Sequence, residues 1–264
     1  MVDITCRKNI ASQEFLNIVW DVFFLKKSRG RSLKIHFPWL FDSSTQFLSF
    51  EIIKNKEIVG GLIVAEKNIN SIKVGLLGLV CIDERFRGKG YLKKLMDSAL
   101  STIALENFDA IYLWTSQHDL YKKYGFSSLD DSILVKVKYI TNSHSEPKAK
   151  IKITERADLS IPPFASSIYQ ADIDDVSFIY CENNQSKYIL SYNGILESVI
   201  KAFGAFVDDT FYINSYDVCR NEFLEAEKYA HIEIYQQNIQ MVKVIKTESL
   251  QVINKTHFAA NERI

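Results

Sequence analysis

A basic, glycine-bearing run, Arg85-Phe86-Arg87-Gly88-Lys89-Gly90-Tyr91, separates an apolar strand-like stretch at 74–82 from a helix-like stretch at 92–104. A chain that ends a strand, turns on two glycines and restarts as a helix is committed to mixing strand and helix around one core. Such a junction also presents several unpaired backbone N–H groups to one point, where the helix dipole favours an anion. Gly88 and Gly90 carry no side chains, so a diphosphate can approach the backbone closely.

The neighbouring segments extend this pattern. Residues 12–25 place Phe15, Ile18, Val19, Val22 and Phe23 on one helical stripe behind a plausible N-cap at Ser12. A basic loop follows, Lys26 to Lys34 with five cations, and then the aromatic segment His36-Phe37-Pro38-Trp39-Leu40-Phe41. Three β-rich runs at 47–54, 58–66 and 72–82 are separated by turn-forming residues and read as an antiparallel meander. After the glycine loop, Leu92, Leu95, Met96, Ala99 and Ile103 mark one helical face, and Ala110–Trp114 and 132–140 read as strands.

The segment 141–150 is polar and without periodicity, which makes it the expected linker between a domain over 1–140 and a smaller α/β domain over 151–264. Eight of the ten glycines precede residue 150, so the second half has no comparable phosphate loop, and no internal repeat is evident. The second half is expected to carry strands at 176–182, 187–192, 211–215 and 241–246, with helices near 195–203 and 221–231. Three roles for it stay open: a degenerate copy of the first half-sheet, an acceptor-side module, or an oligomerisation module that would make the chain a homo-oligomer.

Thirty-two basic residues balance thirty-two acidic ones, which gives no global field for nucleic acid or an anionic membrane. The first residues lack the apolar core of a signal segment, and no stretch approaches the ~18 apolar residues of a membrane span, so a cytoplasmic protein is expected. Cys6, Cys81, Cys181 and Cys219 are far apart, and the five histidines are equally scattered. Reduced thiols and no metal are the expectation.

The stretch from Ile72 to Phe126 resembles the core of the GCN5-related N-acetyltransferase (GNAT) superfamily: a strand, an Arg-Gly-x-Gly loop, a helix, a strand and a Tyr-x-x-x-Gly-Phe ending. The resemblance implies a mixed, mostly antiparallel central sheet flanked by helices. It implies acetyl-CoA as co-substrate, with Arg87, Gly88, Lys89, Gly90, Tyr91 and Leu92 holding its diphosphate by backbone. Val80, Cys81 and Ile82 then match the strand end that holds the pantetheine and polarises the thioester carbonyl. Tyr121, in Tyr121-Lys122-Lys123-Tyr124-Gly125-Phe126, falls where the family places a general acid near the sulfur. Leu92 stands where relatives often have a glycine or alanine, Glu84 where they often have a proline, and the turn 114–119 lacks their frequent asparagine.

The implied reaction is N-acetyl transfer by direct attack of an amine on the thioester, and the alternative is an acyl-CoA-binding sensor or scaffold without turnover. Direct attack needs a deprotonated amine, an oxyanion donor and a proton for the departing thiolate, which Tyr121 is expected to supply. No carboxylate occupies the strand before the loop. Candidate bases are Glu51, Glu66, Asp83, His36 and His118. A small-molecule amine is the expected acceptor. The cations of 26–34, Arg29 and Arg31 among them, fit either an anionic acceptor or a solvated loop.

Overall fold

The computed structural model describes residues 2–28, 30–140, 151–173, 175–183, 186–207 and 210–263. Arg29 and the expected linker 141–150 lie outside the described residues. In chain order the elements are β1 (Val2–Lys8), α1 (Gln13–Phe23), α2 (Leu33–His36), β2 (Phe47–Lys54), β3 (Glu57–Ile69), β4 (Ile72–Ile82), α3 (Tyr91–Leu105), β5 (Ala110–Trp114), α4 (His118–Lys122), β6 (Ser127–Ser128) and β7 (Ser132–Tyr139). The remainder is β8 (Lys152–Glu155), β9 (Ser167–Ile173), β10 (Val176–Glu182), β11 (Lys187–Asn193), α5 (Leu196–Val207), β12 (Thr210–Tyr216), α6 (Arg220–Glu225), β13 (Ala230–Gln236), β14 (Gln240–Val244) and α7 (Leu250–Ile253).

The fold is mixed α/β, with two mostly antiparallel seven-stranded sheets flanked by helices. The first sheet runs β1-β2-β3-β4-β5-β14-β6 and the second β13-β7-β12-β11-β10-β9-β8. Each holds one parallel pair, β4 with β5 and β11 with β12, joined by the crossover helices α3 and α5. Strands β2 and β4 are buried along nearly their whole lengths and β3 from Val59 to Ala65, which fits their almost continuous apolar runs.

One face of the first sheet packs Phe50, Leu62, Val64, Leu77 and Leu113 against Leu95, Met96, Ala99 and Ile103 of α3. The opposite face packs Ile63, Val74, Leu76 and Tyr112 against Phe15 and Val19 of α1, with Ile253 and Phe258 from the end of the chain. In the second sheet Phe178, Tyr180, Phe211 and Ile213 pack on Val199, Ile200 and Phe203 of α5.

The chain divides differently from the single break expected at 141–150. One compact unit runs to Leu129 and includes Ile239–Phe258, and the other covers Asp130–Asn238 with Ala259–Glu262. Strand β7, placed by sequence in the first domain, pairs with β12 and β13. Strand β14, placed in the second, pairs with β5 and β6. An alternating apolar pattern shows that a segment is a strand and which face is buried, but it does not name the sheet the strand joins.

A structural repeat is present although no repeat is legible in the residues. Four strands, a crossover helix, a strand parallel to the fourth, a short helix and a strand occur in that order twice, as β1 to β6, where α1 and α2 are inserted after β1, and as β8 to β13. In both cases the following strand enters the other sheet. The helix expected at 221–231 stops at Glu225, and β13 begins at Ala230, where alternating apolar residues set a period of two. Among the described residues no helix is long and apolar enough to cross a membrane, and no group of three metal-ligating side chains forms.

Candidate functional site

Strands β4 and β5 pair only from Val74–Leu76 to Ala110–Tyr112, and beyond these residues the two strands part. On its other side β4 stays paired with β3, with a register shift between Gly78 and Cys81 and with Leu79 at φ +53°. A leucine in the left-handed region is strained and marks a bulge. The backbone groups of residues 77–82 that face away from β3 therefore have no strand partner. Cys81 and Ile82 are buried and Val80 is half-buried along this open edge.

The glycine loop continues directly from that edge. Asp83 accepts the Arg85 backbone N–H at 2.9 Å and starts a tight turn over Glu84–Phe86. Gly88 and Gly90 both adopt φ +74°, and a Cβ at either would meet nothing within 4 Å. Conformation rather than crowding therefore requires glycine there, and the space over the backbone is open. Gly90 caps α3 in the left-handed conformation and no side chain bonds the first turn of this fifteen-residue helix. Its amides and its dipole remain available for an anion.

The basic side chains of the loop mostly hold the loop itself. Arg87 donates Nε–H to the Ile82 carbonyl at 3.0 Å, which pins the strand end, and Lys89 donates to the Arg85 carbonyl at 3.0 Å. Arg85 is paired with Glu57 at 2.7 Å and Asp83 at 2.9 Å. Tyr91 is buried in the α3-side core and Leu92 packs against it half-buried, so Leu92 turns its side chain inward. Glu84, an unwelcome charge beside a diphosphate, pairs with Lys26, and that bond holds its carboxyl below the usual range. This partner was not legible in the sequence, because nothing local links residue 26 to residue 84.

Tyr121 sits on α4 in the core cluster that also holds Ile82 and Tyr91, its ring 6.1 Å edge-on from Phe126. The turn between these rings needs Gly125, at φ +82° with Lys243 Nζ only 2.6 Å from a Cβ position. Burial pushes the Tyr121 phenol up to about 12. A thiol titrates near ~8.5, so full proton transfer from this phenol to a leaving thiolate runs uphill. A phenol of this kind can donate a hydrogen bond to a developing negative charge without giving up its proton. Burial also pushes the Cys81 thiol up to about 12, which leaves it a poor nucleophile.

Four of the five candidate bases are engaged elsewhere. Glu51 is fully buried, accepting from the Ser12 backbone N–H at 2.7 Å and facing Arg7 at 3.7 Å. Glu66 pairs with Lys73 at 2.9 Å, and Asp83 with Arg85. His36 is buried, stacked on Phe24, with its Nε2 accepting from the Arg31 backbone N–H at 3.1 Å. His118, the first residue of α4, differs: its Nε2 is buried without a hydrogen-bond partner, and so is Nε1 of Trp114, the last residue of β5. A buried polar atom left unpaired costs about 1–3 kcal/mol.

A parted parallel strand pair, a bulged strand edge and an uncapped helix N-terminus follow one another along the chain. Residues 12–126 match the sequence model of the acetyltransferase (GNAT) family. No curated protein matches the sequence. Among solved structures, a probable N-acyltransferase of Enterococcus faecalis superposes with a TM-score of 0.67 at 13% identity, covering 95% of this chain and 74% of that one. A GCN5-related N-acetyltransferase of Anabaena variabilis gives 0.61 at 15% identity, covering 92% and 73%. A tandem GNAT protein from the clavulanic acid biosynthesis pathway gives 0.57 at 8% identity, covering 93% and 99%. At these identities the likeness is one of fold.

Proposed function

We propose that the chain is an N-acetyltransferase that moves the acetyl group of acetyl-CoA to a small-molecule amine by direct attack. The observation that carries this reading is the uncapped α3 N-terminus, with Gly88 and Gly90 in left-handed conformation, continuing from the open edge of β4. In the proposed reaction the diphosphate rests on the amides of 88–92, and the pantetheine pairs with the free edge of Val80–Ile82. The amine lone pair forms the C–N bond, the C–S bond breaks, and the sulfur leaves as thiolate while the ammonium proton passes to solvent. A strand-end N–H stabilises the oxyanion and the Tyr121 hydroxyl the departing sulfur. The buried, poorly acidic thiol of Cys81 supports attack without a thioester on the protein.

The engagement of Glu51, Glu66, Asp83 and His36 favours a second reading, a protein that binds the acyl-coenzyme without turnover. Calorimetry with acetyl-CoA, paired with release of free thiol against a panel of amines, separates the two. Micromolar binding with thiol release on at least one amine is expected. Binding without release on any amine supports the sensor, and absence of binding overturns both.

A further inference from the structure

Each sheet ends in two edge strands, and an unpaired edge is a template for another strand. Strand β6 is two residues long, β8 is four, and β1 carries Arg7 and Lys8, charges of the kind that guard an edge. Strand β13, Ala230-His231-Ile232-Glu233-Ile234-Tyr235-Gln236, has seven residues, no lysine, no proline and no break in its register with β7. Among the described residues no strand pairs with its outer side. We propose that this edge pairs with the same edge of a second copy of the chain, antiparallel about a two-fold axis at Ile232, so that the second sheets of the two copies become one.

The backbone decides which residues can pair. Just outside the ladder its register continues, with the Ile140 N–H donating to the Tyr229 carbonyl and the Gln237 N–H to the Ser132 carbonyl, both at 3.1 Å. In an antiparallel ladder such a residue turns both of its groups to one side, and the side alternates along the strand. The odd-numbered residues from Tyr229 to Gln237 therefore bond β7, and Ala230, Ile232, Ile234 and Gln236 turn their N–H and C=O groups outward. A second β13 must set outward residues against outward residues, which leaves few registers. Centring on Glu233 opposes two carboxylates, and centring on Ile234 opposes Ile232 to Gln236. Centring on Ile232 opposes His231 to Glu233 twice and Ala230 to Ile234 twice. The His231 and Glu233 positions then form the closely spaced pairs that lack backbone bonds, where side chains meet most directly.

The two faces of the strand fit this register. Ala230, Ile232 and Ile234 belong to the α5-side core, the two isoleucines half-buried at its rim, where a second strand covers what is still open. His231 and Glu233 are exposed on the opposite face. Lys136, at 2.7 Å, and the Tyr235 hydroxyl hold the Glu233 carboxylate there. An open groove of about 720 Å³, with Lys138, Glu227, His231, Ile232 and Glu233 in its lining, gives the second strand access.

Sedimentation velocity of the full chain at micromolar concentration should show a dimer. His231→Glu sets a carboxylate against Glu233 at both contacts and should raise the dimer dissociation constant about 10- to 100-fold. Within one chain the new carboxylate faces Lys138, its partner on β7, so the melting temperature should not fall. Glu233→Lys should dissociate the dimer likewise. An equimolar mixture of the two variants should dimerise again, because one contact then opposes the new carboxylate to the new ammonium and the other opposes His231 to Glu233. A wild-type monomer overturns the proposal, whether the edge then takes a strand of another protein or none. A dimer that both variants leave intact overturns it too, as do folded variants that dissociate and fail to recombine.

Discussion

Tyr121 has a packing role and a proposed chemical one, and removing its hydroxyl separates them. Tyr121→Phe keeps the ring against Phe126 and should leave stability and acetyl-CoA affinity near wild type. Loss of a hydrogen bond to the leaving sulfur should lower kcat roughly 10- to 100-fold. Equal rates in steady-state kinetics would leave Tyr121 a packing residue. Its raised pKa also has a pH signature. The unfolded phenol ionises near ~10 and the folded one near about 12, so the folded state binds the proton more tightly. The stability this confers is complete below pH ~10 and is lost as pH rises towards about 12. Urea denaturation from pH 8 to 11.5 should show that decline, and Tyr121→Phe should reduce it. The residues proposed for the site, 80–82, 87–92 and 121, are those that the resemblance names from short local runs. The pairing of Lys26 with Glu84 and the buried nitrogens of Trp114 and His118 depend on which distant segments meet, and no local pattern reports that.

At the scale of elements, α1 was legible because its start and its stripe are both written locally. Ser12 accepts the Phe15 backbone N–H on its hydroxyl at 3.2 Å, and Phe15, Leu16 and Val19 are buried. Ser12→Ala removes that acceptor but keeps the backbone N–H bonded to Glu51, so the cost should be that of a lost cap, about 0.5–2 kcal/mol by urea denaturation. No measurable change would mean that the Glu51 carboxylate alone fixes the helix entry. Strand β13 shows the opposite case. The stretch 221–231 carries enough helix-forming residues to suggest one element, yet the helix ends at Glu225 and pairing with β7 claims Ala230 onward. Tertiary pairing overrides propensity where a strand completes a sheet edge.

At the scale of the whole molecule, the repeated order of elements does not repeat the binding chemistry. In the second unit β11 pairs with β12 only at Tyr188 and Ile189, and the bulge lies opposite Ile179–Tyr180. The turn into α5 is short, with Gly194 at φ +117°, and Glu197 occupies the first helical turn. An acidic side chain near a helix N-terminus disfavours a diphosphate there. Calorimetry should therefore return one coenzyme per chain, and a stoichiometry of two would place a second site in the second unit. The crossing of β7 and β14 makes a stronger demand. Unit 1 draws Met241 and Val242 of β14, together with Ile253 and Phe258, into its two core faces, all of them nearly or fully buried. A chain ending at Asn238 keeps every residue of the glycine loop, of β4 and of α4. It nevertheless loses the strand between β5 and β6 and the cover over Tyr112, whose hydroxyl donates to the Ile253 carbonyl at 3.0 Å. Losing several buried side chains at about 2–5 kcal/mol each exceeds the stability of an ordinary domain. The shortened chain should then show no cooperative unfolding of unit 1 and no binding of acetyl-CoA. Wild-type affinity in that chain would mean that the first six strands form the binding unit alone, as the glycine loop by itself suggests.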